Sequence, residues 1–160
     1  DEVWFVPVFK HPWADRYGKQ QLASYEDRCH MLELLIAGAD HEQKIAHYKE
    51  VSFTYDTLEY FSKQHPQHTF SWVMGSEYLS RFDDFLKLHA RLLEYQFYVY
   101  PRAGYPLEVT LQKPNMQFLF SLPEVAISST QVKECIRQGK PIQALVGKTL
   151  ESVVLQEYRY

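Results

Sequence analysis

The stretch "AISSTQVKECIRQGKP", Ala126 to Pro141, sets three hydroxyl residues, Ser128, Ser129 and Thr130, directly before a helical pattern. Val132, Cys135 and Ile136 repeat at i, i+3 and i+4, the spacing of one apolar helix face. With Ser128 as N-cap, Gln131 completes a capping box, and Ile127 and Val132 take the two positions of a hydrophobic staple. Gly139 in the left-handed conformation ends the helix, and Pro141 prevents its continuation. Capping needs one hydroxyl and leaves Ser129, Thr130 and Lys133 over. A helix start with spare hydroxyls and a cation one turn in also suits an anion, because unpaired N–H groups and the macrodipole point there.

The surrounding pattern alternates short apolar runs with helical ones. "VWFVPV", Val3 to Val8, reads as a strand covered on both faces, with Lys10 and His11 just beyond it. Ser24 caps a helix over 25–37 that Gly38 stops. The polar stretch "DHEQKIAHYKE" reads as a short helix or a loop. Thr54 opens another helix, broken at His65-Pro66. "TFSWVMG" is a strand ending at Gly75, followed by Ser76, Glu77 and a helix with Leu79, Phe82, Phe85 and Leu86 on one side. "YQFYVY" is a further strand, followed by the turn-rich "PRAGYP" with Arg102 and Gly104. "MQFLFSL" is a fourth strand, and the tail "IQALVGKTLESVVLQEYRY" forms two short helices.

Such alternation predicts an α/β fold with a mostly parallel sheet, in which ligands sit outside the carboxyl ends of the strands. Four parallel strands would bring Lys10 and His11, Ser76 and Glu77, Arg102, and Ser128–Thr130 to one rim. Cations, hydroxyls, a helix start and one carboxylate suit a phosphorylated ligand.

Composition narrows the classes. The chain has 160 residues, 46% of them apolar and 23% charged, the balance of a folded soluble domain. A net charge of −3 and the lack of a basic stripe argue against nucleic acid. No apolar run reaches the ~18 residues of a membrane span. Cys29 and Cys135 belong to no C-x-x-C pair and read as reduced core residues of a cytoplasmic protein. His65 and His68 have no third ligand at metal spacing, so no metal site is expected among the protein side chains. No G-x-S-x-G or Cys–His arrangement suggests a nucleophilic hydrolase.

The segments "VWFVPV", "TYDTL", "WVMGSEYL", "PRAGY" and "ISSTQVKECIRQG", in this order, resemble the bacterial nicotinate-nucleotide adenylyltransferases of the α/β-phosphodiesterase nucleotidyltransferase superfamily. The resemblance runs from Val3 to about Leu150. It implies a Rossmann-like parallel sheet with flanking helices and a single nucleotidyltransferase domain over residues 1–160. It also implies adenylyl transfer from ATP to nicotinate mononucleotide, giving deamido-NAD and pyrophosphate without a covalent enzyme intermediate, with Mg²⁺ accompanying ATP. By this resemblance Ser128, Ser129, Thr130 and Lys133 meet the ATP phosphates, and Lys10 and His11 supply cations to them. Arg102 and Gly104 lie by ATP. On the acceptor side it implies Thr54 near the pyridine carboxylate, Gly75 and Glu77 at ribose or substrate contacts, and Phe85 stacked on the pyridine ring. Read from the residues alone, Glu77 equally caps a helix, Phe85 equally belongs to the core, and Thr54 is equally an N-cap.

The chain also departs from the family pattern. Glu77 stands where Asp is usual, Phe85 where Trp is usual, and Lys133 where Arg is usual, which keeps charge but loses bidentate geometry. The family's H-x-G-H, after G-G-T-F-D-P, is absent, so no catalytic residue is identifiable. The expectation is therefore a fold lacking its first βα unit, with about thirty further residues upstream of Asp1, and little or no turnover by residues 1–160 alone. The alternatives are a non-catalytic nucleotide-binding homologue, or a sister transferase with another phosphorylated acceptor.

Overall fold

The computed structural model describes residues 2–10, 23–37, 39 and 42–158. In chain order its elements are β1 (Val3–Phe5), α1 (Tyr25–Ile36), β2 (Gln43–Ile45), α2 (Thr54–Gln64) and β3 (Ser71–Gly75). A 3-10 turn (Ser76–Arg81) leads into α3 (Phe82–Leu88), and a second (Ala90–Glu94) into β4 (Gln96–Tyr100). A third (Val109–Leu111) precedes β5 (Met116–Phe118), and α4 (Ser129–Arg137), α5 (Gln143–Val146) and α6 (Lys148–Glu157) complete the order. The chain forms two compact units, one of residues 1–53 and 127–160, the other of residues 54–126.

In the first unit β1 and β2 pair in parallel, with Trp4 opposite Lys44 and Phe5 opposite Ile45. A strand here corrects the helix-or-loop reading of the polar stretch. Lys44 lies 3.5 Å above the Trp4 ring and 3.0 Å from Glu2, so cross-strand contacts override a sequence poor in β-formers. β1 is also shorter than expected, since Pro7 has no N–H to extend the ladder, and Val3 is 48% exposed rather than covered. Ser24 caps α1, accepting from the Asp27 amide at 3.0 Å. Arg28 ties that helix start to the segment after β1 by donating to Val8 O at 2.6 Å. Gly38 lies outside the described residues, and the helix ends at Ile36.

The opening stretch folds as its spacing dictates. Ser128 caps α4, its hydroxyl accepting from the Gln131 amide at 3.2 Å. Gly139 takes φ 65°, where a side chain would be strained. The Lys140 amide reaches Cys135 O at 2.8 Å and the Gly139 amide reaches Ile136 O at 3.0 Å, the two bonds of a Schellman motif. Val132 is buried with Ile142 and Val154, but Ile127 stays 42% exposed, so little of a staple's burial is realised. Ser128→Ala is expected to cost about 1 kcal/mol, read as a lower thermal midpoint that Ser128→Asp restores.

In the second unit β3, β4 and β5 form a wholly parallel sheet in that order. Period-two alternation puts Trp72, Met74, Phe97, Val99, Met116 and Phe118 on one face, where the core lies. α2 adds Tyr55 and Leu58, and Phe82 from α3 meets Phe97 edge to face at 5.0 Å. The expected fourth strand is confined to Met116–Phe118, and the helix after Glu77 begins as a 3-10 turn. Thr54 is the first residue of α2 rather than the cap before it. The expectation of four parallel strands thus becomes five, in two parallel sheets among the described residues.

Candidate functional site

The polar residues of the second unit gather past the carboxyl ends of β3 and β4. Gly75 and Tyr100 end these strands and stand opposite each other in register. Ser76, only 4% exposed, donates to Tyr105 O at 2.5 Å and accepts from the Arg102 amide at 2.9 Å. One hydroxyl therefore fastens the end of β3 to the loop after β4. That loop turns at Gly104, whose φ of 81° suits the third position of a type II turn, closed by the Tyr105 amide on Arg102 O at 2.9 Å.

Glu77 folds back against Gly75. A β-carbon on Gly75 would lie 1.9 Å from Glu77 Oε2, so glycine is required here for close approach, not for an unusual φ. Glu77 Oε1 is 3.4 Å from Arg102 Nε. Glu77 Oε2 is buried and has no hydrogen-bond partner among the described residues. A buried carboxylate oxygen without a donor is costly unless a ligand supplies one. The capping reading of Glu77 does not hold, since no side chain caps that turn. A carboxylate acceptor backed by a guanidinium can take a hydroxyl donor on one side and an anion on the other.

Burial pushes the Tyr100 hydroxyl above its usual range, and the Glu77 charge adds to the shift while Arg102 opposes it. The fold thus favours the neutral phenol. Its contribution is intact below about pH 10 and is lost as pH rises through the elevated value. Glu77→Gln is expected to lower the pH at which Tyr100 ionises, measured by ultraviolet difference titration against Tyr100→Phe. An unmoved titration would show that the carboxylate does not face this phenol.

Phe85 is half-buried against the core, 6.3 Å from both Phe82 and Tyr78. Part of that ring is thus engaged by the core. In the first unit, Lys10 is exposed and its backbone bridges Val51 in parallel. His11 lies outside the described residues. Ser129 and Thr130 are exposed, and among the described residues neither hydroxyl has a hydrogen-bond partner. Their amides precede the first intrahelical bond of α4. Lys133 Nζ sits 4.9 Å over the Tyr158 ring.

The structure brings Gly75, Glu77, Arg102 and Gly104 together at one sheet end. Lys10, Ser128, Ser129, Thr130 and Lys133 belong to the other unit. Tyr100 and Tyr158 were not legible as site residues. Tyr100's only signal was its place at the end of "YQFYVY", and nothing local links Tyr158 to a lysine 25 positions away.

The family model described as cytidylyltransferase-like matches residues 1–135. A probable nicotinate-nucleotide adenylyltransferase of Cytophaga hutchinsonii is 32% identical, with 100% of this chain and 83% of that protein covered. The chain belongs to the nicotinate-nucleotide adenylyltransferases of the cytidylyltransferase-like family. A relative of the same name from Halalkalibacterium halodurans is 30% identical over 100% of this chain and 77% of its own length. Plasmodium falciparum nicotinic acid mononucleotide adenylyltransferase complexed with NaAD superposes with a TM-score of 0.73 at 17% identity, covering 99% of this chain and 83% of that one. That likeness establishes the adenylyltransferase fold, an α/β arrangement of parallel sheets flanked by helices. No described helix is long and apolar enough to cross a membrane.

Proposed function

We infer that this protein transfers the adenylyl group of ATP to nicotinate mononucleotide, releasing pyrophosphate and forming deamido-NAD. Residues 1–160 are proposed to serve this reaction as one nucleotidyltransferase domain. The observation that carries the phosphate side is the start of α4, where capping consumes Ser128 and leaves the Ser129 and Thr130 hydroxyls exposed. With the first-turn amides and Lys133, they are proposed to receive ATP phosphates. Lys10 and His11 are proposed to add positive charge to the same phosphates, and Arg102 and Gly104 to border ATP.

On the acceptor side, Glu77 Oε2 would accept from a ribose hydroxyl, satisfying the buried oxygen. Thr54 is proposed to donate near the pyridine carboxylate, and Phe85 to offer its uncovered face to the ring. The attacking oxygen is the acceptor's own phosphate, so no enzyme nucleophile is needed. Catalysis rests on holding that oxygen in line with the α-phosphorus and on neutralising charge there.

Among the described residues no three His, Cys, Asp or Glu side chains converge as metal ligands. Mg²⁺ is proposed to be held by the phosphates of ATP, the usual mode for a cation that keeps several waters, and to neutralise their charge. The two cysteines are free thiols, which suits the proposed cytoplasmic location.

The deciding assay follows pyrophosphate release by the full gene product with ATP and either nicotinate or nicotinamide mononucleotide. Release with the nicotinate acceptor and formation of deamido-NAD are expected. Release only with an unrelated phosphorylated acceptor, or ATP binding without release, would sink the assignment.

A further inference from the structure

Lys133 occupies the fifth position of α4, so it shares a helix face with Ser129 at i−4 and Thr130 at i−3. Side chains on a helix lean toward its N-terminus, which carries the ammonium toward those hydroxyls. A four-carbon stem leaves that charge many rotamers. The structure narrows them, because Lys133 Nζ stands 4.9 Å over the Tyr158 ring, within the range of a cation–π contact. Tyr158 is itself held. It packs against the Val132, Ile142 and Val154 cluster, and its amide donates to Val154 O at 3.1 Å. Its hydroxyl accepts from the Ala23 amide at 3.5 Å, next to the cap of α1.

We propose that Tyr158 is a positioning residue for the phosphate-binding start of α4, its ring holding the Lys133 ammonium on the face that carries Ser129 and Thr130. This rests on the reading that ATP phosphates meet that helix start. An ammonium has three N–H donors, so the contact with the ring does not by itself exhaust them. The ring restricts the lysine before the ligand arrives, and the entropy of ordering it is not lost on binding. A flexible lysine gains a fixed direction from a neighbour rather than from its own geometry.

The test compares Lys133→Met, Tyr158→Leu and Tyr158→Phe with the parent chain. Binding of ATP and of inorganic tripolyphosphate is measured by calorimetry, and the Lys133 side-chain methylene shifts by NMR. In the parent chain the methylene next to the ammonium should be shifted upfield by the ring. Tyr158→Phe should keep that shift and bind within about two-fold, because the π face remains. Tyr158→Leu should lose the shift and weaken both ligands about two- to five-fold, the size of an exposed cation–π contact. Lys133→Met should weaken them further.

Normal binding by Lys133→Met would overturn the phosphate reading of α4. Weak binding by Lys133→Met with normal or tighter binding by Tyr158→Leu would overturn this proposal alone. If the leucine variant does not fold, the parent chain decides. The upfield shift must persist with tripolyphosphate bound, and its loss would mean that the ring competes with the ligand.

Discussion

Replacing Gly75 by alanine is expected to weaken the acceptor site while leaving most of the fold standing. The backbone at Gly75 has φ −80° and ψ 154°, which alanine adopts without strain. The obstacle is the space above it. The new β-carbon would lie 1.9 Å from Glu77 Oε2, 2.7 Å from its Cδ and 2.8 Å from Arg102 Cγ. The Glu77 carboxylate is the far end of a flexible side chain and must swing away. It then leaves Arg102 and the position where a ribose hydroxyl is proposed to bind. Glu77 and Arg102 are about one-quarter exposed, so solvent moderates the loss, and a stability cost of about 1–2 kcal/mol is expected. Affinity for nicotinate mononucleotide should fall about ten-fold or more, the effect of one lost charge-assisted hydrogen bond. Calorimetric titration and thermal unfolding of Gly75→Ala, Glu77→Ala and the double variant separate the causes. With Glu77 already truncated, the alanine should lose most of its effect, with a residue from the Arg102 contact. Equal effects in both backgrounds would mean that the carboxylate is not what Gly75 accommodates.

The largest stability effect is expected from Phe82→Ala. Phe82 is 1% exposed and meets Phe97, itself 2% exposed, edge to face at 5.0 Å and 81°. Truncation removes the buried ring, leaves a cavity between α3 and the sheet, and forfeits the aromatic pairing, at about 3–5 kcal/mol. Domains are commonly stable by about 5–15 kcal/mol, so a fifth or more of that margin is at stake. Equilibrium urea unfolding should show a lower midpoint with an unchanged slope, and Phe82→Leu should recover most of it. Nucleotide affinity should also drop, because Phe85 packs one turn along on the same helix. A loss below about 1 kcal/mol would show that this ring is not a core element.

Much of the fold was legible because it is local. Ser24, Ser128, Gly139 and the i, i+3, i+4 spacing of α4 each act within one or two helical turns, and the caps form where the residue types put them. The apolar runs ending at Gly75 and before Pro101 likewise located β3 and β4. The polar strand β2 was not legible, because its support is the Trp4 ring opposite Lys44. Nor was the shortness of β1 and β5, which depends on where partners stop hydrogen bonding.

For the site, the sequence by itself determined the inventory and its order: a carboxylate and a glycine at one strand end, an arginine at the next, and hydroxyls before a helix. It also determined which hydroxyl would be consumed by capping. The tertiary structure decided what these groups do to one another. Only in three dimensions does Glu77 turn back into the space left by Gly75, with one oxygen facing Arg102 and the other without a partner among the described residues. Only there does Lys133 meet the ring of the residue that caps the last helix. Capping and periodicity are set by covalent neighbours and read from a short window. Pairing of side chains far apart in the chain depends on how strands and helices pack, and no local pattern encodes it.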